Sequence, residues 1–255
     1  MGVINFAHGE FLAIGGFVVL VMLRNDVSFW IAILLAPLVA AAVGVVVERL
    51  VIRFLYGRII DSLLATFAVS LIFTQLLVTM FGNSPSGMKS QLGSFQFGKY
   101  SVGQYRVLLV ALAVVVFAST WYVFTRTVYG IRARAAMVAR DTASSFGINW
   151  KRLNTFSFAF GAGLAGLGGA LLSPLITVEP FMGQKFLARA FLIVISGGSA
   201  AVTGSAASGT LIGSAQSAGT EIASPSIGQV LALVAAVLLV RLFPRGLSAR
   251  WRSEI

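Results

Sequence analysis

Apolar residues fall in long blocks along this chain, and polar turn residues separate the blocks instead of alternating within them. Phe11–Leu23, Ser28–Val47, Leu63–Phe81, Tyr105–Phe124, Asn154–Thr177 and Ile227–Phe243 are such blocks. A helix that crosses the hydrocarbon of a bilayer needs about 20 residues, which most of these reach; the first is short unless the polar stretch before it is included. A further block, Phe186–Gly219, is broken by Gly197-Gly198-Ser199 and again by Gly204-Ser205. Barrel strands would show short segments of alternating polarity, and the chain has none of that rhythm. The pattern predicts an all-α integral membrane protein, a polytopic helical bundle with one broken or re-entrant helix pair.

Composition agrees with the pattern. Of 255 residues, 58% are hydrophobic and 11% charged, whereas a soluble domain carries about 25% charged residues. There is no cysteine, so neither a disulfide framework nor a thiolate metal site can be proposed. No cleavable signal peptide is evident at the start.

The formal charge of +11 implies no nucleic-acid partner, because in a membrane protein the positions of the basic residues carry the information. Lys and Arg gather on the cytoplasmic side of spans. Arg49, Arg53 and Arg58 follow the second block; Arg126, Arg132, Arg134, Arg140, Lys151 and Arg152 fill the loop after the fourth; Arg241, Arg245, Arg250 and Arg252 end the chain. These three groups hold most of the 19 Lys and Arg residues and are expected to be cytoplasmic, which puts the C-terminus inside. The segment Phe186–Gly219 must then begin and end outside, as two short helices or as a re-entrant pair turning at Gly197-Gly198-Ser199. Irregular backbone at membrane depth persists only where protein or a wet cavity surrounds it, so a polar path is expected there, with Gly197, Gly198, Ser199 and Gly204 beside it.

The start of the first block raises a second question of polarity. Asn5, His8 (the only histidine) and Glu10 stand at its head. A charged side chain at membrane depth costs ~2.5–3.5 kcal/mol on insertion scales and usually faces the bundle interior. One histidine without cysteine or a second nearby acid makes a poor metal site, and no nucleophile–base–acid set can be drawn. Asn5, His8 and Glu10 are therefore expected to line a translocation path or a polar inner seam, and no catalytic residue is assigned.

Two nucleotide-like strings fail on context. Gly161-Ala162-Gly163-Leu164-Ala165-Gly166 matches a dinucleotide fingerprint, but it lies inside an apolar span with no strand before it. Ala162, Gly166 and Ala170 recur every four residues, a spacing that lets helix backbones approach, and helix packing is the expected role. Gly82-Asn83-Ser84-Pro85-Ser86-Gly87-Met88-Lys89-Ser90 is nearly a phosphate loop, yet Met88 intrudes before the Lys.

The loop Thr125–Leu153 is long and basic. Ala133, Ala135, Ala136 and Ala139 favour helix, Asp141 and Thr142 offer capping side chains, and Gly147 can end a short helix in the left-handed conformation. Such a helix would lie along the cytoplasmic face and dock a partner; the plainer alternative is a solvated positive loop.

Within that loop Asp141-Thr142-Ala143-Ser144-Ser145-Phe146-Gly147 resembles the EAA-x-x-x-G signature of ATP-binding-cassette importer permeases, with Asp for Glu and Thr for the first Ala. The opening Asn5-Phe6-Ala7-His8-Gly9-Glu10, the Ile148-Asn149 and Arg152 that follow the loop motif, the stretch Phe156–Gly166 and the late Phe243-Pro244-Arg245-Gly246-Leu247 are similar to motifs of the branched-chain amino acid and urea permease family, in the family's order.

The resemblance implies a permease without enzymatic activity or cofactor of its own. Its partners would be a second related permease, two cytoplasmic ATPase subunits and an external solute-binding protein, assembled in a bacterial plasma membrane. Arg140, Asp141, Thr142, Ala143 and Gly147 would then form the helix that couples to the ATPase. Residues 1–255 would be a single transmembrane permease domain, with the family's first span falling before Met1. Phe156–Gly166 and Ser226–Leu231 look closer to the urea branch than to the branched-chain amino acid branch. The competing classes are a nucleotide-independent channel or carrier for a small polar solute and a membrane scaffold, neither of which needs an EAA-like cytoplasmic helix.

Overall fold

The computed structural model describes residues 5–83, 87–88, 93–97, 100–198, 201–244 and 246–247. Ser199, Arg245, Arg250, Arg252 and parts of the 82–90 loop (Ser84–Ser86, Lys89 and Ser90) lie outside the described residues. Among the described residues ten α-helices run in the order α1 (His8–Arg24), α2 (Phe29–Leu50), α3 (Ile59–Phe81), α4 (Gln104–Arg126), α5 (Val128–Val138), α6 (Arg140–Ser145), α7 (Trp150–Leu172), α8 (Met182–Gly197), α9 (Ala201–Ile222) and α10 (Pro225–Leu242). The strands are a short antiparallel hairpin between α3 and α4, β1 (Ser94–Phe97) and β2 (Tyr100–Gly103).

Among the described residues five segments are long and apolar enough to cross a membrane: α2 with the 3-10 turn after it, α3, α4, α7 and α10. With 17 residues, α1 is about 25 Å long, somewhat short of a full crossing. The broken block is a bent pair, α8 and α9, with an angle of 117° between them. The fold class expected from the hydropathy pattern is the one observed.

The chain divides into two compact units, residues 1–112 with 128–187, and residues 113–127 with 188–255. In the first, α1, α2 and α7 pack as a three-helix core, and small residues set their spacing. A Cβ on Gly15 would land on the carbonyl of Gly166, and one on Gly169 would land on the carbonyl of Leu12. A Cβ on Gly44 would stand 2.6 Å from that of Ala162. Without a hydrophobic drive between helices in lipid, such backbone approach supplies the packing that holds them. Larger side chains fill the ends. Val19, Phe29, Ile33, Tyr105 and Leu171 form one cluster, and Phe11, Val47, Ile52 and Ala162 another. Tyr105, buried among apolar neighbours, donates its hydroxyl to the Leu171 carbonyl at 2.6 Å, which meets the requirement that a buried phenol find a partner.

In the second unit α9 and α10 form an antiparallel hairpin joined by Ala223 and Ser224. Ser224 caps α10 by accepting from the Ile227 N–H, with Pro225 at the first helical position, where a missing N–H costs nothing. Gly219 and Gly228 bring the two helices close near the turn.

Candidate functional site

A polar seam sits inside the first unit. On α3, Ser62, Thr66, Ser70 and Thr74 are all buried; at four-residue spacing they make one stripe down one face. Ser62 and Thr66 turn their hydroxyls back to the backbone of their own helix. Ser70 Oγ instead donates to Glu10 Oε1 at 2.8 Å. Glu10 is 1% exposed, and its other oxygen, Oε2, is buried without a hydrogen-bond partner. Gln184, at the start of α8, donates to Thr74 Oγ1 at 3.4 Å. The start of α8 reaches this seam because Gly183 and Gly9 meet backbone to backbone, and a Cβ on Gly183 would come within 2.9 Å of Glu10 Oε2. Glu10 thus stands between three helices with acceptor capacity to spare.

The three polar residues at the head of α1 take different positions. Asn5 accepts from the Ala7 N–H at 3.0 Å, a local turn contact. His8 is on the exposed side of the helix, its ring edge-on to Phe11 at 6.5 Å. Glu10 alone reaches across to another helix. Hydroxyl residues at 62, 66, 70 and 74 in an otherwise apolar span are the sequence signal of the α3 stripe.

In the second unit the broken pair turns on glycine. A Cβ on Gly197 would lie 2.6 Å from the Gly204 carbonyl carbon, and one on Gly204 would overlap the Gly197 carbonyl. Gly198 and Gly246 have φ of +79° and +81°, and a Cβ on Gly246 would land on Gly198. The chain after α10 therefore returns to the break, a contact only glycines permit. Next to it the Ser196 hydroxyl is buried without a hydrogen-bond partner.

The loop Thr125–Leu153 contains two helices, α5 and α6, where one is expected from sequence. The break falls at Ala139, whose backbone is extended (φ −143°, ψ 90°) and which takes the N-cap position of α6, so Asp141 and Thr142 lie inside that helix. Gly147 has φ +76°. Its N–H donates to the Ser144 carbonyl at 2.9 Å and the Ile148 N–H to the Ala143 carbonyl at 3.1 Å, the paired bonds of a Schellman termination. Ala143 is buried and Thr142 exposed. Around this helix Met137, Val138 and Phe146 are 71%, 88% and 81% exposed, large apolar side chains on an otherwise basic segment. Asn149 then caps α7 by accepting from the Arg152 N–H.

Just below, α7 is tied back to both neighbours. Tyr129 of α5 packs edge-on to Phe156 at 4.9 Å, and its hydroxyl meets Ser157 Oγ at 2.5 Å. Ser157 gives its own proton to the Leu153 carbonyl, so Tyr129 is the donor. Burial raises the Tyr129 phenol above its ordinary range, a rise partly offset by Ser157. Glu48, near the end of α2, is 1% exposed and accepts from Tyr56 Oη at 2.6 Å and from Thr155 Oγ1 at 2.7 Å. None of Glu48, Tyr56, Thr155 or Tyr129 was singled out by sequence.

Of the small residues expected to pack helices, Ala162 meets Gly44, and Gly166 lies against Ala40 and the Ala36 carbonyl. Ala170 is buried in the cluster around Phe29 and Tyr105. The fingerprint-like glycines lie within α7, with no strand before them. Among the described residues no group of His, Cys, Asp and Glu could hold a metal ion.

Apolar spans, a buried acid facing hydroxyl groups and a broken helix pair define a polytopic membrane transport protein. Residues 1–242 match the family described as branched-chain amino acid transport system / permease component, and the chain belongs to that family. It is 27% identical over 274 residues to the high-affinity branched-chain amino acid transport system permease protein BraD of Pseudomonas aeruginosa, covering 100% of this chain and 88% of the relative. It is 26% identical over 276 residues to the permease protein LivH of the corresponding system of Escherichia coli K12, with the same coverage. A probable branched-chain amino acid transport permease protein LivH of Methanocaldococcus jannaschii is 22% identical over 262 residues, covering 96% of this chain and 82% of the relative. No solved structure matches. The chain is thus a transport permease component and not an enzyme.

Proposed function

We propose that this chain is a membrane-spanning subunit of an ATP-binding-cassette importer and that its cargo is a branched-chain amino acid. The observation that carries the importer reading is α6. It is a short helix on the basic face, closed by Gly147 in the left-handed conformation and flanked by exposed Met137, Val138 and Phe146. A channel or an independent carrier has no use for apolar side chains held out on a soluble face; a groove in an ATPase subunit would bury them. Arg140, Asp141, Thr142, Ala143 and Gly147 belong to this coupling segment. The other partners we infer are a second, related permease, a second ATPase copy and an external solute-binding protein. The cargo follows the names of the relatives, each given for branched-chain amino acid transport, with urea and small amides as the alternative.

The two compact units act as one permease domain, in an inner-membrane protein whose C-terminus is cytoplasmic because its basic segments are. In the first unit Glu10, Ser70 and Thr74, buried as they stand, would become a polar lining for a solute bearing an ammonium or amide group once the helices part, with Glu10 Oε2 as the acceptor. Asn5 and His8 flank its mouth. In the second, Gly197, Gly198 and Gly204 would form a hinge on the path of the solute.

Uptake of labelled leucine and labelled urea, in cells with and without this gene and before and after ATP depletion, tests the reading. Leucine uptake that needs both the gene and ATP supports it. Urea uptake under the same conditions moves the cargo to the other branch, and uptake that persists without ATP sinks the importer reading.

A further inference from the structure

Glu48 is a buried acid away from the seam around Glu10, and its surroundings are specific. It sits near the inner end of α2, where an unpaired carboxylate would be costly. Both its oxygens are engaged, Oε1 by the Tyr56 hydroxyl at 2.6 Å and Oε2 by the Thr155 hydroxyl at 2.7 Å. These donors come from different elements. Tyr56 belongs to the turn between α2 and α3, while Thr155 lies in the first two turns of α7. The Tyr56 ring is also held edge-on by Trp150, the first residue of α7, at 5.9 Å. The three contacts tie together the end of α2, the turn after it and the root of α7.

What precedes Thr155 gives this contact its meaning. From Ser145, the last residue of α6, to Trp150 the chain has only Phe146, Gly147, Ile148 and Asn149, and both ends of that link are fixed. The Schellman bonds close α6, and the Asn149 side chain caps α7. A displacement of α6 must therefore pass into the root of α7. From there α7 runs against α2, where Gly44 meets the Ala162 methyl, and against α1, where the backbones of Gly15 and Gly166 and of Leu12 and Gly169 touch.

We propose that Glu48 is a positioning residue: by accepting from Tyr56 and Thr155 it locks the turn after α2 to the root of α7, so that a push on α6 moves α2 and α7 as one body. This rests on the reading of α6 as the ATPase-docking helix. The arrangement has the form expected of a transmitting element, since two apolar helices alone could slip at their ends, whereas a carboxylate held by two short hydrogen bonds has one geometry.

The chain has no cysteine, so spin labels can be placed at exposed Arg58 and Arg152 in the assembled transporter and their separation measured with and without ATP. Wild type should give one narrow distance that nucleotide leaves unchanged. In Tyr56→Phe/Thr155→Val the distance should broaden, and uptake per ATP hydrolysed should fall about tenfold, the worth of one or two net hydrogen bonds, at unchanged membrane abundance. Glu48→Gln should keep both properties. Its amide oxygen still accepts from Tyr56, and its N–H can donate to Thr155, whose proton then turns to the Lys151 carbonyl at 3.1 Å. A distance that stays narrow in the double variant overturns the brace. Broadening without loss of uptake per ATP overturns its transmitting role. If wild-type uptake ignores ATP, the importer reading falls instead, and the distance still decides the brace.

Discussion

Glu10 of α1 and Ser70 of α3 meet at 2.8 Å across 60 residues of sequence, and with the Phe6 N–H, which donates to Thr66 Oγ1 at 3.0 Å, this bond joins the polar head of the first helix to the hydroxyl stripe of the third. Removing one partner leaves the other unsatisfied, at about 1–3 kcal/mol. Ser70→Ala should therefore lower the stability of the detergent-solubilised protein by about that much. Replacing both partners by apolar groups of similar shape can be nearly neutral, so Glu10→Met/Ser70→Ala should recover most of that stability. It should not recover uptake, because the seam has lost its acceptor. Thermal unfolding and uptake measured on the same preparations separate the two effects; a double variant that transports like wild type would make Glu10 purely structural.

Glycines of α1 and α7 give a second prediction with an internal control. Gly15→Ala places a methyl on the Gly166 carbonyl, and Gly169→Ala places one on the Leu12 carbonyl. Overpacking of this kind costs about 1–3 kcal/mol or more, and backbone cannot move aside as a side chain can. Both variants should reduce the amount of folded protein in the membrane. Gly161 and Gly168, on the same helix, have nothing within 4 Å of an added Cβ, and their Ala variants should accumulate normally, helped by better helix propensity. Equal yields from all four would show that the close approach of α1 and α7 is not needed for folding.

Long-range geometry explains which parts of this protein were legible in the sequence. The spans follow from hydropathy alone, because a bilayer imposes length and apolarity on each helix separately; α4 was expected at Tyr105–Phe124 and runs Gln104–Arg126. Hydropathy starts the span of α7 at Asn154, later than the helix itself, because Trp150–Leu153 is polar enough to look like loop until Asn149 caps it. The small-residue spacing of Ala162, Gly166 and Ala170 was readable, but its partners Gly15, Ala40 and Gly44 were not, since spacing within one helix does not name the other. The site was harder. Glu10 is conspicuous as an acid in an apolar run, whereas His8, equally conspicuous, faces outward. Which face a residue takes depends on the helix beside it. Glu48 gave no signal, because an acid next to Arg49 at the end of a span reads as a solvated boundary until Tyr56 and Thr155 close over it.

Gly147 separates backbone geometry from bulk. Its φ is +76° and nothing lies within 4 Å of an added Cβ, so any effect of substitution comes from conformation. A β-branched residue in the left-handed region costs about 1–2 kcal/mol and would unwind the end of α6. Gly147→Val should leave the protein in the membrane and abolish ATP-driven uptake. Gly147→Asn, which tolerates that conformation, should retain much of it. If Val is as active as Asn, the termination of α6 has no part in transport.

The brace at Glu48 also has a pH signature. Burial raises the Tyr56 phenol above its ordinary range, and the hydrogen bond to Glu48 pushes in the same direction. In the unfolded chain the phenol titrates near its ordinary value of about 10. The folded state thus keeps a proton that the unfolded state gives up, and the contribution to stability is fully present below that value and is lost as pH rises above it. Between pH ~7 and ~9 this group should leave the unfolding temperature unchanged. Above pH ~10 the wild type should lose stability more steeply than Tyr56→Phe, which has no phenol to titrate. The measurement is thermal unfolding of both proteins in detergent across that range. A steeper wild-type slope fits a neutral Tyr56 donor held against Glu48, and parallel slopes would mean that the phenol is already free of the carboxylate when the protein is folded.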